Sequence, residues 1–157
     1  MSAKKTERKN SILILGIGNI LMGDDGIGIH AIHELEKLPL AEGITLMDGG
    51  TGGLNLYEAI VSHKKVIIVD AIDLKETAGK IKRIDLKEVK LLLDETHCSM
   101  HQNSITEPIK LAESLGKCPK IVIFGIQPGK IEAGLELSAE LQRILPDIVN
   151  QVLHELA

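Results

Sequence analysis

The sequence predicts an α/β fold in which a twisted, mostly parallel sheet of about five strands lies between two layers of helices, a three-layer sandwich. Three observations support this prediction. The chain has 157 residues, a length typical of one domain. Short apolar runs alternate along it with segments of helical periodicity. Residues 11–16, SILILG, form a short continuous apolar run that ends in glycine, as expected of a strand that a parallel sheet buries on both faces.

Five segments are predicted to be strands. Apolar runs identify residues 11–16 and residues 65–72, the second of which contains the β-forming stretch VIIV. Alternating apolar and polar residues at 80–85 indicate a half-exposed strand at an edge of the sheet. Two shorter runs, residues 43–47 and 120–124, complete the sheet. Ligands of such sheets bind beyond the carboxyl ends of the strands, so functional residues are expected there.

The first two predicted helices each follow a strand. Apolar residues at helical spacing predict a helix over residues 27–38, which Pro39 ends. Residues 54–61 are predicted to form a second, shorter helix.

Two further helices are predicted in the second half of the chain. One is expected to start at residues 106–107, with Pro108 in its first turn, and to end at Gly116. Ser138 can cap the other through its hydroxyl group. Pro146 is expected to kink that last helix because its ring removes a hydrogen bond. Its apolar stripe consists of Leu141, Leu145, Ile148, Val152 and Leu156.

The composition excludes several classes of function. One Tyr, one Phe and no Trp leave few rings on which single-stranded nucleic acid could stack. A net charge of −4 gives no general attraction to nucleic acid or to anionic membranes. No apolar run is long enough for a transmembrane helix. Two cysteines, Cys98 and Cys118, do not form a disulfide framework, so a cytoplasmic protein with reduced thiols is expected.

The charge is uneven along the chain. Residues 1–10 contain four basic residues and one acid and are expected to be a flexible, solvated basic tail. Residues 11–157 are predicted to form a single α/β domain.

Two adjacent acids follow the first predicted strand. Residues 16–28 read GIGNILMGDDGIG, which opens like a dinucleotide-binding fingerprint except that Leu21 stands where the third glycine should be. Asp24 and Asp25 precede the helix, where they would repel a pyrophosphate and would suit a metal cation or a basic group. Both acids could instead cap the helix. Alternatively, one caps the helix while the other points into a cleft.

A third acid, Asp70, ends the apolar part of VIIVDAID, residues 66–73. It is expected at the mouth of a buried strand, where a carboxylate needs a hydrogen-bond partner, a cation or a metal. Amides of a neighbouring loop could be that partner. Asp73 lies further out and is expected to be solvated.

The loop at residues 96–103 reads THCSMHQN and contains His97, Cys98 and His101. These are borderline and soft metal ligands, but they do not match a structural zinc pattern. A Cys–His nucleophile pair and an ordinary surface loop are the alternatives.

Asp25, Asp70 and His101 all fall at predicted carboxyl ends of strands or in loops beside them. Two carboxylates and one imidazole suit a divalent ion of intermediate hardness, with positions left open for water or substrate. Three ligands form an incomplete site, which would bind a metal weakly unless another molecule contributes.

Several motifs, in order along the chain, resemble the hydrogenase maturation protease family. GIGNILMGDDGIG is the most specific of them, and DGGT at residues 48–51, with Gly53 and Leu54, resembles the family's turn and following helix. VIIVDAID, the pair His101-Gln102, and FGIQPGKIEAGLELSAEL at residues 124–141 resemble its later motifs. The resemblance extends over nearly the whole chain after the tail.

The resemblance implies an endopeptidase that removes the C-terminal extension of a nickel–iron hydrogenase large-subunit precursor after nickel insertion. Aligned by motif, the family's nickel ligands fall on Asp25, Asp70 and His101, and these residues are also the expected catalytic set. Because Asp24 is adjacent to Asp25, either acid could be the first of the three ligands, and Asp25 is the better match to the motif. Nickel would arrive with the substrate as the sign that the cofactor is loaded, and another divalent metal could replace it in vitro.

The resemblance also implies the partner and the form of the protein. The expected partner is the precursor, with no nucleic acid and no membrane insertion, and the free protein is expected to be a cytoplasmic monomer with aspartyl endopeptidase activity. The turn of Asp48, Gly49, Gly50 and Thr51 could bind the substrate tail, because glycines permit a close backbone approach. Alternatively it is a tight turn without substrate contact. A Rossmann-like nucleotide-binding module and a non-catalytic maturation chaperone are the other candidate functions.

Overall fold

A computed structural model describes residues 11–88 and 102–157, with only the backbone described for residues 102–104. The predicted basic tail, residues 1–10, lies outside the described residues. So does the stretch that contains His97, Cys98 and His101.

The sheet has the five strands that the sequence predicts. They are β1 (Ile12–Gly16), β2 (Ile44–Asp48), β3 (Lys65–Ala71), β4 (Ile81–Asp85) and β5 (Lys120–Ile126), in the spatial order β2-β1-β3-β5-β4. The pairs among β2, β1, β3 and β5 are parallel, whereas β4 pairs antiparallel with β5. The half-exposed segment is therefore an edge strand, as its alternating pattern predicts.

Four helices of the described residues pack against the sheet, and a short 3₁₀ turn precedes each of the first two. Among the described residues, no helix is both long and apolar enough to cross a lipid bilayer. The first 3₁₀ turn, Gly23–Gly26, leads into α1 (Ile27–Glu36), and the second, Leu54–Leu56, leads into α2 (Tyr57–Val61). The later helices are α3 (Gln102–Ser114) and α4 (Ala139–Glu155).

Two apolar cores confirm the three-layer arrangement. Adjacent side chains of β1 separate between them: Ile14 packs with α1 and α4, whereas Leu13 and Leu15 pack with α2 and α3 on the other face. Phe124, the single phenylalanine of the chain, lies in the first core among aliphatic side chains. Aliphatic residues therefore build nearly the whole interior.

The start of α3 differs from the prediction. The helix begins at Gln102, so Pro108 lies in its interior and not in its first turn. Proline removes one intrahelical hydrogen bond, but burial of the apolar face around it, at Ile105, Ile109 and Ala112, offsets that loss. In α4, Ser138 is the N-cap, as predicted, and accepts a hydrogen bond from the Leu141 amide. This helix continues through Pro146, and the kink stays a prediction.

An ion-pair network joins the end of α4 to two strands of the sheet. The Glu155 carboxylate at the end of α4 accepts hydrogen bonds from Lys65 Nζ, at 2.9 Å, and from Arg83 Nε, at 2.7 Å. The hydrogen bonds from Arg83 outweigh the effect of burial and, with those from Lys65, lower the pKa of Glu155 to about 2. The network ties the last helix to β3 and to the edge strand.

We expect Glu155→Gln to lower the free energy of unfolding by about 1–2 kcal/mol at pH 7. Because the folded-state pKa of Glu155 is depressed, its contribution is complete above the unfolded pKa near 4.5 and disappears as the pH falls toward 2. Urea denaturation from pH 7 to pH 3 should show the difference between the two proteins shrinking below about pH 4.5. The exposed Glu107→Gln is the control, and a difference independent of pH would contradict this assignment.

Candidate functional site

Two glycines bring the start of α1 against the carboxyl ends of the central strands. A Cβ atom on Gly28 would overlap the Val69 carbonyl oxygen, and one on Gly16 would overlap the carbonyl oxygen of Gly28. The Ile17 amide donates a hydrogen bond of 2.9 Å to the same Val69 oxygen. The glycines of the motif at residues 16–28 therefore serve close packing of the helix on the sheet.

Asp25 and Asp70 lie buried at this carboxyl edge. Asp25, in the first 3₁₀ turn, is 1% exposed, and its Oδ2 accepts a hydrogen bond of 3.0 Å from the Asn19 amide. Asp70 is also 1% exposed and lies near the end of β3, opposite Gly125 of β5. The first 3₁₀ turn contacts β3 directly. Two acids that are 45 residues apart in sequence thus belong to neighbouring elements.

Asp24 has a different role from its neighbour. Its carboxylate is fully buried and accepts hydrogen bonds from the Gly129 amide (2.8 Å), the Lys130 amide (2.9 Å), and both the amide (2.7 Å) and the hydroxyl (2.8 Å) of Ser138. Burial acts to raise the pKa of Asp24, but these hydrogen bonds outweigh it and hold the pKa below its usual value. Neither Asp24 nor Asp25 caps the helix that follows, so the interpretation of both acids as caps is wrong.

The carboxylate of Asp24 attaches the loop between β5 and α4 to the first 3₁₀ turn. Backbone pairs continue this attachment: the Gly134 amide donates to Leu21 at 2.8 Å, and the Gly23 amide donates to Gly134 at 2.9 Å. The Asp24 amide donates to Lys130 at 3.0 Å. The β5–α4 loop therefore forms one wall beside the buried acids.

The turn at residues 48–51 lies on the other side of the same edge. Asp48 Oδ1 accepts a hydrogen bond of 2.8 Å from the Gly50 amide, which closes a local turn. The Gly49 amide donates to Gly16, and the Gly18 amide donates to Gly50, both at 2.8 Å. The turn is thus joined to the segment that carries Asp25, and its contact with a substrate stays a prediction.

Residues 29–155 match a family model described as hydrogenase maturation protease. The hydrogenase expression/formation protein HupD of Bradyrhizobium diazoefficiens is 37% identical over 129 residues, which cover 81% of this chain and 67% of HupD. HupD of Rhizobium leguminosarum bv. viciae is 33% identical over 148 residues, 92% of this chain and 73% of that protein.

The chain belongs to the hydrogenase maturation protease family. Its fold agrees: the hydrogenase maturating endopeptidase HybD from E. coli superimposes with a TM-score of 0.85, at 30% identity, over 93% of this chain and 91% of HybD. The NiFe hydrogenase maturation protease HybD from Thermococcus kodakarensis superimposes with a TM-score of 0.78, at 26% identity, over 94% and 99% of the two chains. The resemblance inferred from the motifs is confirmed.

Gln127 is a polar residue of this protease that sequence reasoning missed. It is 8% exposed just after β5, and its Oε1 accepts hydrogen bonds from the Leu74 amide at 2.6 Å and the Glu76 amide at 3.3 Å. Its backbone amide donates to Lys80 at 2.9 Å. Gln127 thereby fixes the loop that follows Asp70. Gln127 lies directly after a buried strand. The same signal identified Asp70 in the sequence, and it could have identified Gln127.

The described residues give two of the three predicted ligands. Across residues 11–88 and 102–157, no group of three His, Cys, Asp or Glu side chains is arranged to hold a metal ion. Asp25 and Asp70 are there, and His101 lies outside the described residues. The side chain of Asp73 is 38% exposed to solvent, as expected, and Lys75 Nζ pairs with it at 2.9 Å.

We expect Asp24→Asn to destabilise the fold by about 2–4 kcal/mol, because the amide group presents N–H donors to the amides of the β5–α4 loop. Urea denaturation followed by circular dichroism measures the loss. Asp73→Asn, which weakens the partly exposed contacts of Asp73 with Lys75 and Gln127, should cost less, about 1 kcal/mol. A loss as small as about 1 kcal/mol in Asp24→Asn would show that the hydrogen bonds of Asp24 are not a major support of the fold.

Proposed function

We propose that this protein is an endopeptidase that removes the C-terminal extension of a nickel–iron hydrogenase large-subunit precursor after nickel insertion. The main support is the pair of buried acids, Asp25 and Asp70, at the carboxyl edge of the sheet. The chain that carries them is a member of the maturation protease family. The likeness to maturating endopeptidases over almost the whole chain supports the same activity.

Asp25, Asp70 and His101 are proposed as the functional set that meets the nickel of the substrate. Two carboxylates and an imidazole suit a divalent ion of intermediate hardness. The hydrogen bonds of Asp24 occupy both of its carboxylate oxygens, which favours Asp25 over Asp24 as the ligand. Nickel is here part of the substrate, and a set of three ligands leaves positions for the groups that deliver it.

The nickel would supply a Lewis acid that polarises a carbonyl group or acidifies water. For the residues of the chain, the proposal is limited to two roles. Asp25 or Asp70 holds the metal or accepts a proton as the general base of an aspartyl endopeptidase, since a buried carboxylate can serve either role. The turn that Asp48 closes is proposed to contact the substrate, and Gly50, where a Cβ atom would meet no protein atom within 4 Å, leaves room for the substrate backbone.

The proposal includes the cellular location and the oligomeric state of the protein. We place the protein in the cytoplasm, because two cysteines in 157 residues do not form a disulfide framework. We expect a monomer when it is free, with the precursor as its partner.

Nickel gating is tested by incubating the purified protein with nickel-loaded and with nickel-free precursor and following the tail by mass spectrometry. We expect release of the extension from the loaded precursor alone, because only that form brings the metal to the buried acids. Equal cleavage of both would refute gating. A stable complex without released peptide would instead show a chaperone that does not cut.

The roles of the functional set are tested by substitution. Asp25→Asn, Asp70→Asn and His101→Ala should each lower the rate of processing at least about 100-fold. Circular dichroism verifies that each variant is folded. Asp73→Asn, a matched acid three residues beyond Asp70, should process at the wild-type rate. Full activity in any of the three variants would remove that residue from the set.

A further inference from the structure

Three exposed apolar side chains lie on the segment that follows β1 and on the β5–α4 loop. Leu21 is 61% exposed, Leu135 is 63% exposed and Ile131 is 38% exposed. They come from two segments that are hydrogen-bonded to each other, since the Gly134 amide donates to the Leu21 carbonyl. We call these three residues the apolar ridge. Burial of large apolar side chains is a main source of binding energy, so the ridge is suited to a partner.

A groove of about 470 Å³ lies along the same loop. Gly23 and residues 130 and 132–138 line it. Because the hydrogen bonds of Asp24 hold both ends of this loop, at Lys130 and Ser138, its walls are attached to the turn that carries Asp25. The groove thus reaches Gly23, which lies two residues before Asp25 in the same 3₁₀ turn.

The groove also offers backbone donors. Within the described part of the chain, the amides of Leu135, Glu136 and Leu137 form no hydrogen bond, whereas the amides on either side, of Gly134 and Ser138, both do. A backbone N–H group needs a partner, which is water or a ligand. An extended peptide presents carbonyl oxygens that can accept hydrogen bonds from amides of this kind.

The charges of the groove restrict the composition of the partner. Glu132 and Glu136 line it together with Lys130, so acids outnumber bases. A segment with apolar side chains and a basic residue complements this lining, whereas an acidic segment would be repelled.

We propose that this groove and the apolar ridge bind an extended, apolar segment of the precursor that carries a basic residue and lies next to the scissile bond. The proposal rests on the proposed function, which already brings a peptide to Asp25. The ridge contributes side-chain contacts and the amides of residues 135–137 contribute main-chain hydrogen bonds. Leu135 is then a residue for substrate recognition and takes no part in the chemical step.

The kinetic test compares Leu135→Ser with Leu115→Ser, a matched leucine that is 54% exposed just beyond α3. With nickel-loaded precursor, Leu135→Ser should raise KM about fivefold to tenfold while kcat stays within about twofold. Leu115→Ser should leave both constants unchanged. An unchanged KM in Leu135→Ser overturns the proposal. If the wild-type protein cleaves nothing, the proposed function fails first, and that outcome differs from an unchanged KM.

Hydrogen–deuterium exchange tests the groove without cleavage. Wild-type protein mixed with excess nickel-free precursor should show slower exchange at the amides of residues 135–137 than the free protein. Exchange that stays fast there with precursor overturns the proposal. A concentration-dependent dimer that Leu135→Ser dissociates would assign the groove to a second copy of the chain and would also overturn it.

Discussion

The buried carboxylate of Asp24 is the interaction on which the site most depends. A charge removed from water is costly unless hydrogen bonds replace its hydration, and four donors from the β5–α4 loop do so here. One of these donors is the amide of Ser138, the N-cap of α4. The same side chain therefore fixes the last helix, the loop before it and the 3₁₀ turn after β1. Without that attachment, only backbone hydrogen bonds would join the β5–α4 loop and its groove to the turn that carries Asp25.

The neighbouring acids Asp24 and Asp25 are separated by the geometry of the 3₁₀ turn. Successive residues of a 3₁₀ helix are about 120° apart around its axis, so two adjacent side chains cannot face the same way. Asp24 points to the β5–α4 loop, and Asp25 accepts a hydrogen bond from the Asn19 amide. One short turn thus supports the fold with one carboxylate and supplies the proposed functional set with the other.

The proposed substrate contacts lie in the loops at the carboxyl ends of the strands. The turn at residues 48–51 and the β5–α4 loop lie on opposite sides of the segment that follows β1, and hydrogen bonds join both to it. A peptide reaching Asp25 would therefore have a glycine-rich turn on one side and an apolar groove on the other. The core needs few aromatic rings for this, because tightly packed aliphatic side chains and close-approach glycines already position these loops.

Local pattern in the sequence determined the five strands, the edge position of β4, the Ser138 cap and the place of Asp70 at a strand end, since periodicity and propensity act over a few residues. It misplaced the start of α3, because burial of the apolar face around Pro108 outweighs the local preference for proline at a helix start. Only the tertiary structure decided what Asp24 does and revealed Gln127. Their hydrogen-bond partners lie far along the chain, 114 residues away for Asp24 and Ser138, and only the packing of the sheet brings such partners together.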